Sequence, residues 1–331
     1  SFNDFFEEKF ISFKRSSSYS TPNRLIILFE GVQKQIVLKS EEIKGPSTKA
    51  PELAIEGFIR SNKILKQNLY ERETEKGSFF CFKTKSKKLY THELLENFVP
   101  KLLDKIQWKK SMRWGNFGLN WGRPLKSILA IFNKKTLIFK FHHIQSTNLT
   151  FIDKDLEDKR KKFSDFKQYN NFFKREQIII DPVERKKIIE RKFNLLLKKK
   201  NIFIDQNPKL MEEVVDLIDQ PNVLVCQFDK KFLKIPKEIL IITMQYHQKY
   251  FPTFDNKGGI TNEFLVVSNK KDLKGLIKLG NERVVEARLT DAKFFWQKDK
   301  SQNLVKQVSN LKSMNYFKGL GSYFDKVQRM R

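Results

Sequence analysis

The sequence predicts an α+β protein of several domains, built from mixed sheets with packed helices. Three observations carry this. Short apolar runs bounded by turn residues recur along the chain, as at Leu25–Phe29, Phe79–Phe82 and Phe264–Val267. Stretches of helical periodicity stand between them instead of forming a separate block. The 331 residues are enough for two or three ordinary cores.

Along the first hundred residues the elements follow in turn. Phe2, Phe5, Phe6, Phe10 and Ile11 sit at near-helical spacing and predict an amphipathic helix, which Ser16-Ser17-Ser18 breaks. Thr21-Pro22-Asn23-Arg24 leads into Leu25–Phe29, short enough for a buried strand. Lys44-Gly45-Pro46 reads as a turn. Residues 51–64 read as a helix with Leu53, Ile55 and Phe58 inward. Lys76-Gly77 separates two extended pieces, the second being Phe79–Phe82, and a helix at about 92–106 closes an α+β domain over 1–107.

A second domain is expected over 108–280. Ile128–Phe132 and Thr136–Phe141 form a hairpin across the three residues Asn133-Lys134-Lys135. The stretch 153–174 is dense in lysine, aspartate and phenylalanine without a clean period, and predicts a loop with irregular helical turns. Asp181-Pro182 is an N-cap followed by proline at the first helical position, and Asn207-Pro208 repeats the device, giving a helical excursion over about 182–219. The first of these helices places Ile189, Phe193, Leu196 and Leu197 on one stripe and Arg185, Lys186, Arg191 and Lys192 on a basic face. The second turns Leu210, Val214, Leu217 and Ile218 inward. Val223–Phe228 reads as a strand. Asn256-Lys257-Gly258-Gly259 is a turn before the strand at Phe264–Val267, and Asn281–Trp296 reads as a helix.

Lys plus Arg number 65 against 38 Asp plus Glu, a net charge of +27 that attracts polyanions. Lysine outnumbers arginine several-fold, and Lys, Ile, Asn and Phe are all abundant, as an AT-rich genome alone would produce. The charge permits nucleic-acid binding without proving it. Two cysteines far apart, Cys81 and Cys226, predict neither a disulfide framework nor a zinc site and point to a reducing, cytoplasmic setting. No apolar stretch approaches the roughly 20 residues of a membrane span. A chain that opens on Ser1 and closes inside the helical run Asp325–Arg331 reads as a fragment of a longer one.

Catalytic apparatus is not evident. There is no phosphate-binding loop, no G-x-G-x-x-G after a strand and no H-E-x-x-H. His142-His143 is the one tempting metal pair, but neighbours on a strand face opposite ways, so no metal is expected there. Gly115-Asn116-Phe117-Gly118 is glycine-rich yet follows no clear strand. No catalytic residue and no cofactor are therefore assigned to this chain. The strongest constellation is Lys110-Ser111-Met112-Arg113-Trp114-Gly115 with Trp121-Gly122-Arg123-Pro124. Arginine with tryptophan is the composition of a binding hot spot. Glycines with tryptophans also make a structural corner, and both readings stand. The nonapeptide Thr243-Met244-Gln245-Tyr246-His247-Gln248-Lys249-Tyr250-Phe251, read as a strand edge, offers rings that stack and a cation that meets phosphate, a set suited to RNA. A buried aromatic strand with a satisfied histidine is the plainer alternative.

These segments together resemble the β subunit of the bacterial two-subunit glycine–tRNA ligase. The resemblance runs in chain order through Thr21–Leu25, Lys44–Pro46, Glu73–Gly77, Lys110–Gly115 and Gly122–Pro124. It continues through Leu210–Val214, Phe232–Pro236, Met244–Pro252, Gly280–Val284, Arg288–Phe295 and Leu320–Lys326. It covers nearly the whole chain and places it in the N-terminal half of the subunit. It implies that residues 281–331 begin an all-helical domain of HD type. The middle region also looks similar to the mixed α/β insert domains of the phenylalanine enzyme's β subunit.

The resemblance implies a holoenzyme of α2β2 form, whose α subunit binds glycine, ATP and magnesium and makes the adenylate. The β subunit then binds and positions glycine tRNA and supports charging. A non-enzymatic assembly or RNA-binding module is the alternative. Arg113, Trp114, Arg123, His247, Lys249, Tyr250, Arg283 and Arg288 are the candidates for RNA or subunit contact. The sequence departs from the family pattern at Asn23, where an arginine is usual, and at Asn148–Phe151, which replaces a histidine- and arginine-bearing stretch.

Overall fold

The computed structural model describes residues 1–74, 77–152, 160–205 and 207–331. They divide into two compact units, residues 1–18 with 27–171 and residues 19–26 with 172–331. The α+β class expected from the sequence is the class observed, with helices interspersed among several small, mainly antiparallel sheets.

In the first unit the opening helix is Phe2–Glu8, closed by a reciprocal capping box between Ser1 and Asp4. Phe5 and Phe6 are buried, and the Phe5 ring stacks on Phe98 at 3.8 Å. Phe10, expected inward, is 78% exposed because it takes a left-handed φ of 53° just past the helix end and turns off its face. Ser16–Ser18 do not simply break the helix. They lie in a strand, Arg15–Thr21, paired with Arg24–Glu30. The second strand is not buried through: Leu25 and Ile27 are exposed, the alternation of a hairpin with one wet face.

Lys44-Gly45-Pro46 is not a turn either. It lies within the strand Glu42–Ser47, whose register against Gly77–Lys83 shifts between Lys44 and Ser47. A Cβ at Gly45 would fall 2.6 Å from Phe58 Cε1, so the glycine lets a ring approach the backbone. The helix Glu52–Asn62 contributes no buried residue, and Leu53 is 83% exposed. Gly77, at φ 106°, opens the strand after the predicted break; Lys76 lies outside the described residues. The helix predicted at 92–106 is Thr91–Asp104.

The next hairpin is tighter than expected. Phe132 pairs with Lys135, leaving only Asn133 and Lys134 in the turn, both at positive φ, the form that matches strand twist. The lysine-rich stretch after it is more regular than its composition suggested. Arg160–Lys162 pairs with Leu149–Phe151, and Phe166–Arg175 is a helix; residues 153–159 of the predicted loop lie outside the described residues.

The second unit is a four-stranded antiparallel sheet in the order Phe203–Ile204, Phe251–Phe254, Ile260–Ser268, Asn222–Gln227. Its central residues are apolar on both faces, and the pleat sorts them. Cys226, Phe264 and Val266 share a cluster with Val285 and Leu289 of the helix Leu276–Ser301. Leu265, Val223, Val225 and Val267 share another with Ile189 and Phe193 of the helix Pro182–Lys200 and with Leu210, Met211, Val214 and Val215 of the helix Pro208–Leu217. Period-two alternation thus feeds helical layers on each side.

Both proline-marked helices begin where predicted: Asp181 Oδ1 accepts from Val183 N at 2.8 Å, and Asn207 Oδ1 from Leu210 N at 3.1 Å. Leu217, expected inward, is exposed, and Met211 and Val215 take the buried positions. The basic face of the first helix is divided. Arg185 precedes Ile189 by four residues and so shares its stripe. It is fully buried, donating to the carbonyls of Val215, Ile179 and Ile180 at 3.0, 2.8 and 3.1 Å. Lys192 Nζ donates to Pro221 O at 2.6 Å, and burial lowers its pKa. Arg24, on the hairpin tip that belongs to this unit, lies over the Phe173 ring at 4.5 Å, with Nη1 3.8 Å from Asp219.

Candidate nucleic-acid interface

The nonapeptide at 243–251 is not a strand edge. The helix Lys237–Ile242 runs on into a single π-helical turn, Thr243–His247, and the strand begins only at Phe251. The wider turn holds Thr243 and Met244 in the core while Tyr246, 73% exposed, and His247 project outward. Lys249 then takes φ 59°, a left-handed conformation costly for a residue with a Cβ. The Tyr250 N–H closes the excursion on Met244 O at 2.9 Å. A π-turn and a left-handed lysine within seven residues concentrate backbone strain at one place, a pattern found at functional sites.

Lys249 Nζ lies 2.5 Å from Glu213 of the neighbouring helix and 5.5 Å from the centre of the Tyr246 ring. Tyr250 is 8% exposed and stacks near Phe264, with its hydroxyl on Asn281 Oδ1 at 2.5 Å. It joins the turn to the helix Leu276–Ser301 and belongs to the core instead of the surface. That helix starts earlier than predicted because the Asp272 carboxylate accepts from the N–H groups of Ile277 and Lys278, at 3.1 and 2.8 Å. Arg283 and Arg288 both lie on it, on the side away from the core or at its edge. By helical geometry Arg283 lies opposite the buried Val285–Leu289 stripe, and Arg288 lies on its flank. His247 and Lys249 thus lie in the turn itself, which Tyr250 ties to the helix through Asn281, while Arg283 and Arg288 are exposed on other faces of that helix.

Arg113, Trp114 and Arg123 sit together in the first unit. Met112 and Trp121 exchange both backbone bonds, at 2.9 and 3.2 Å, and Arg113 Nε donates to Asn120 Oδ1 at 3.0 Å. Trp121 packs edge-on against Trp108 at 5.0 Å, in a cluster with Leu119 and Phe141. A Cβ at Gly122 would meet Trp108 Cε3 at 2.7 Å. The corner is built around tryptophan packing, and it leaves Arg113 and Arg123 exposed on its outside. Gly122→Ala should therefore lower the stability of this unit by about 1–3 kcal/mol, the cost of overpacking, read as a fall in melting temperature.

His142 and His143 occupy the turn of a hairpin, not a strand. His142 Nε2 meets Asp104 Oδ1 at 3.1 Å, whereas His143 stacks on Phe117. Among the described residues, no group of three or more His, Cys, Asp or Glu side chains could hold a metal ion. No helix there is long and apolar enough to cross a membrane. Sequence reasoning passed over Tyr246 and Glu213. The first stood inside the quoted motif. The second lies 36 residues away from Lys249 and became its partner only through folding.

Comparison with known proteins agrees with the resemblance. The family described as glycyl-tRNA synthetase beta subunit matches residues 1–331. The glycine–tRNA ligase beta subunit of Rickettsia prowazekii (strain Madrid E) is 35% identical over 330 residues, which is 99% of this chain and 50% of that protein. Those of Rickettsia peacockii (strain Rustic) and Rickettsia conorii (strain ATCC VR-613 / Malish 7) are each 34% identical over the same shares. The chain spans about half the length of the curated relatives it matches. With a match along its entire length, the chain belongs to the glycyl-tRNA synthetase beta subunit family.

Proposed function

We propose that this chain is the part of a glycine–tRNA ligase β subunit that binds and positions glycine tRNA. A separate α subunit would carry the ATP- and magnesium-dependent attachment of glycine, in an α2β2 assembly in the cytoplasm. The observation that carries this is the strained junction at 243–250, which exposes Tyr246 and His247 beside a helix bearing Arg283 and Arg288. Exposed rings in the turn and exposed guanidinium groups on that helix offer the two contacts an unpaired RNA strand takes, stacking and phosphate pairing. The net charge of +27 adds long-range attraction for it.

A second reading, an assembly module that touches only protein, draws support from Phe294 and Phe295, both exposed on the helix Leu276–Ser301. Glycine charging of tRNA, assayed with the full-length β chain and its α partner and with each omitted in turn, separates the readings. The tRNA-positioning reading expects charging only with both, and expects the β chain alone to retain salt-sensitive tRNA binding. Charging without β, or a β chain indifferent to tRNA, would leave assembly alone.

A further inference from the structure

The sheet of the second unit ends on a strand whose outer side is open. Asn222–Gln227 pairs only with Ile260–Ser268, antiparallel and without a register shift. The Phe228 N–H donates to Asn262 O at 3.0 Å, so by alternation Cys226, Leu224 and Asn222 also bond toward that neighbour. Gln227, Val225, Val223 and Pro221 therefore face away from it. Both ends of this outer row are satisfied. The Gln227 N–H donates to Glu282 Oε1 at 2.8 Å, and Pro221, which has no N–H, accepts from Lys192 Nζ at 2.6 Å. Between them, the N–H and C=O groups of Val223 and Val225 have no partner among the described residues.

Edge strands are normally guarded by a charge, a proline, a bulge or an overlying element. Here Val223–Cys226 are all apolar, the register is unbroken, and Val223 and Val225 are only half-buried. Two helix flanks border the edge. One carries Lys192 and, a turn later, the half-buried Leu196 of Pro182–Lys200. The other carries Glu282 and, a turn earlier, Leu279 of Leu276–Ser301, which is 43% exposed. Alternating donors and acceptors match the backbone of another strand. An RNA phosphate meets the N–H groups but is repelled by the carbonyls. Charge then selects the strand's composition. Burial lowers the Lys192 pKa, and the like charges of Lys271 and Arg191 add to it, which places three cations at the Pro221 end. Arg191 and Lys271 are exposed, and neither forms an ion pair among the described residues.

We propose that this edge takes up an extended acidic segment of a protein partner as a fifth strand of the sheet, its backbone on Val223 and Val225 and its carboxylates at Arg191, Lys192 and Lys271. This is a protein-docking surface in addition to the RNA-binding reading above, and it does not depend on that reading.

The test uses the full-length chain and a fluorescein-labelled peptide, Glu-Glu-Thr-Val-Thr-Val-Thr. Anisotropy should report saturable binding, and amide hydrogen exchange should slow at Val223 and Val225 when the peptide is bound. Two further peptides carry N-methyl groups on alternate residues, one along each edge. The one that blocks the pairing edge should bind about tenfold or more weakly, and the other nearly as well as the parent. Lysines in place of the two glutamates should also weaken binding about tenfold. Arg191→Glu with Lys271→Glu should reverse that preference; both side chains are exposed, so the pair does not open the core. No binding at about 1 mM peptide, equal tolerance of both N-methylated peptides, or binding without slowed exchange would overturn the added strand. Equal binding of the lysine peptide would overturn the acidic partner. Slow exchange at both amides before peptide is added would give the edge to another part of the same chain, or to a second copy if it grows with protein concentration. Displacement of the peptide by polyadenylate with both amides still protected would give it to RNA, and each of these results counts against the proposal.

Discussion

Replacing Arg185 by alanine should destabilise the second unit by about 3–5 kcal/mol, the range for removing one member of a buried, hydrogen-bonded charge system. The guanidinium is fully buried and bonds three main-chain carbonyls, those of Val215, Ile179 and Ile180. Burial lowers its pKa, while the nearby Asp216, Asp219 and Asp181 act in the opposite direction and help to keep it charged. Alanine would leave those carbonyls without donors and open a void beside Ile189 and Phe193. Lysine, a point charge with a different reach, cannot reproduce the fork and should recover only part of the loss. Urea unfolding of the three proteins measures this. A loss under about 1 kcal/mol for Arg185→Ala would mean the carbonyls find water, and that the arginine is not the keystone of this layer.

Arg185 also shows where the sequence could and could not be read. Its spacing of four from Ile189 placed it on the apolar stripe, but its charge argued for the surface, and composition prevailed over period in the expectation. The same helix's start was legible to the residue, because Asp181-Pro182 acts locally and needs no partner from elsewhere. The sheet was legible in its apolar runs, since each face packs against a helix layer and only apolar residues fit there. Gly45 and the π-turn were not. Gly45 is explained by a ring thirteen residues on, and the π-turn by packing on either side of Met244 that no local pattern encodes. Candidate site residues divide likewise. The outward placement of Arg283 and Arg288 follows from helical geometry, whereas the burial of Tyr250 depends on Asn281 and Phe264 arriving from a later helix and strand.

Replacing both Lys249 and Arg283 by alanine in the full-length protein should weaken tRNA binding by on the order of tenfold or more at physiological salt. It should also reduce the slope of log affinity against log salt by about 1 for each phosphate no longer neutralised. The two residues should not contribute equally. Arg283 is exposed on the helix face opposite the core, whereas Lys249 is held 2.5 Å from Glu213, whose carboxylate offsets its charge and repels phosphate. Lys249→Ala alone should therefore cost less than Arg283→Ala. Glu213→Gln should act with the opposite sign, tightening tRNA and steepening the salt dependence by freeing the ammonium. The Lys249–Glu213 pair is only half-buried, so breaking it should alter stability by no more than about 1 kcal/mol. Opposed effects on binding with little change in unfolding would tie the junction to the polyanion. Unchanged affinities and slopes in all these variants would remove the 243–250 turn and the Arg283 face from the RNA surface and leave Phe294 and Phe295 as the surface that matters, through docking to protein.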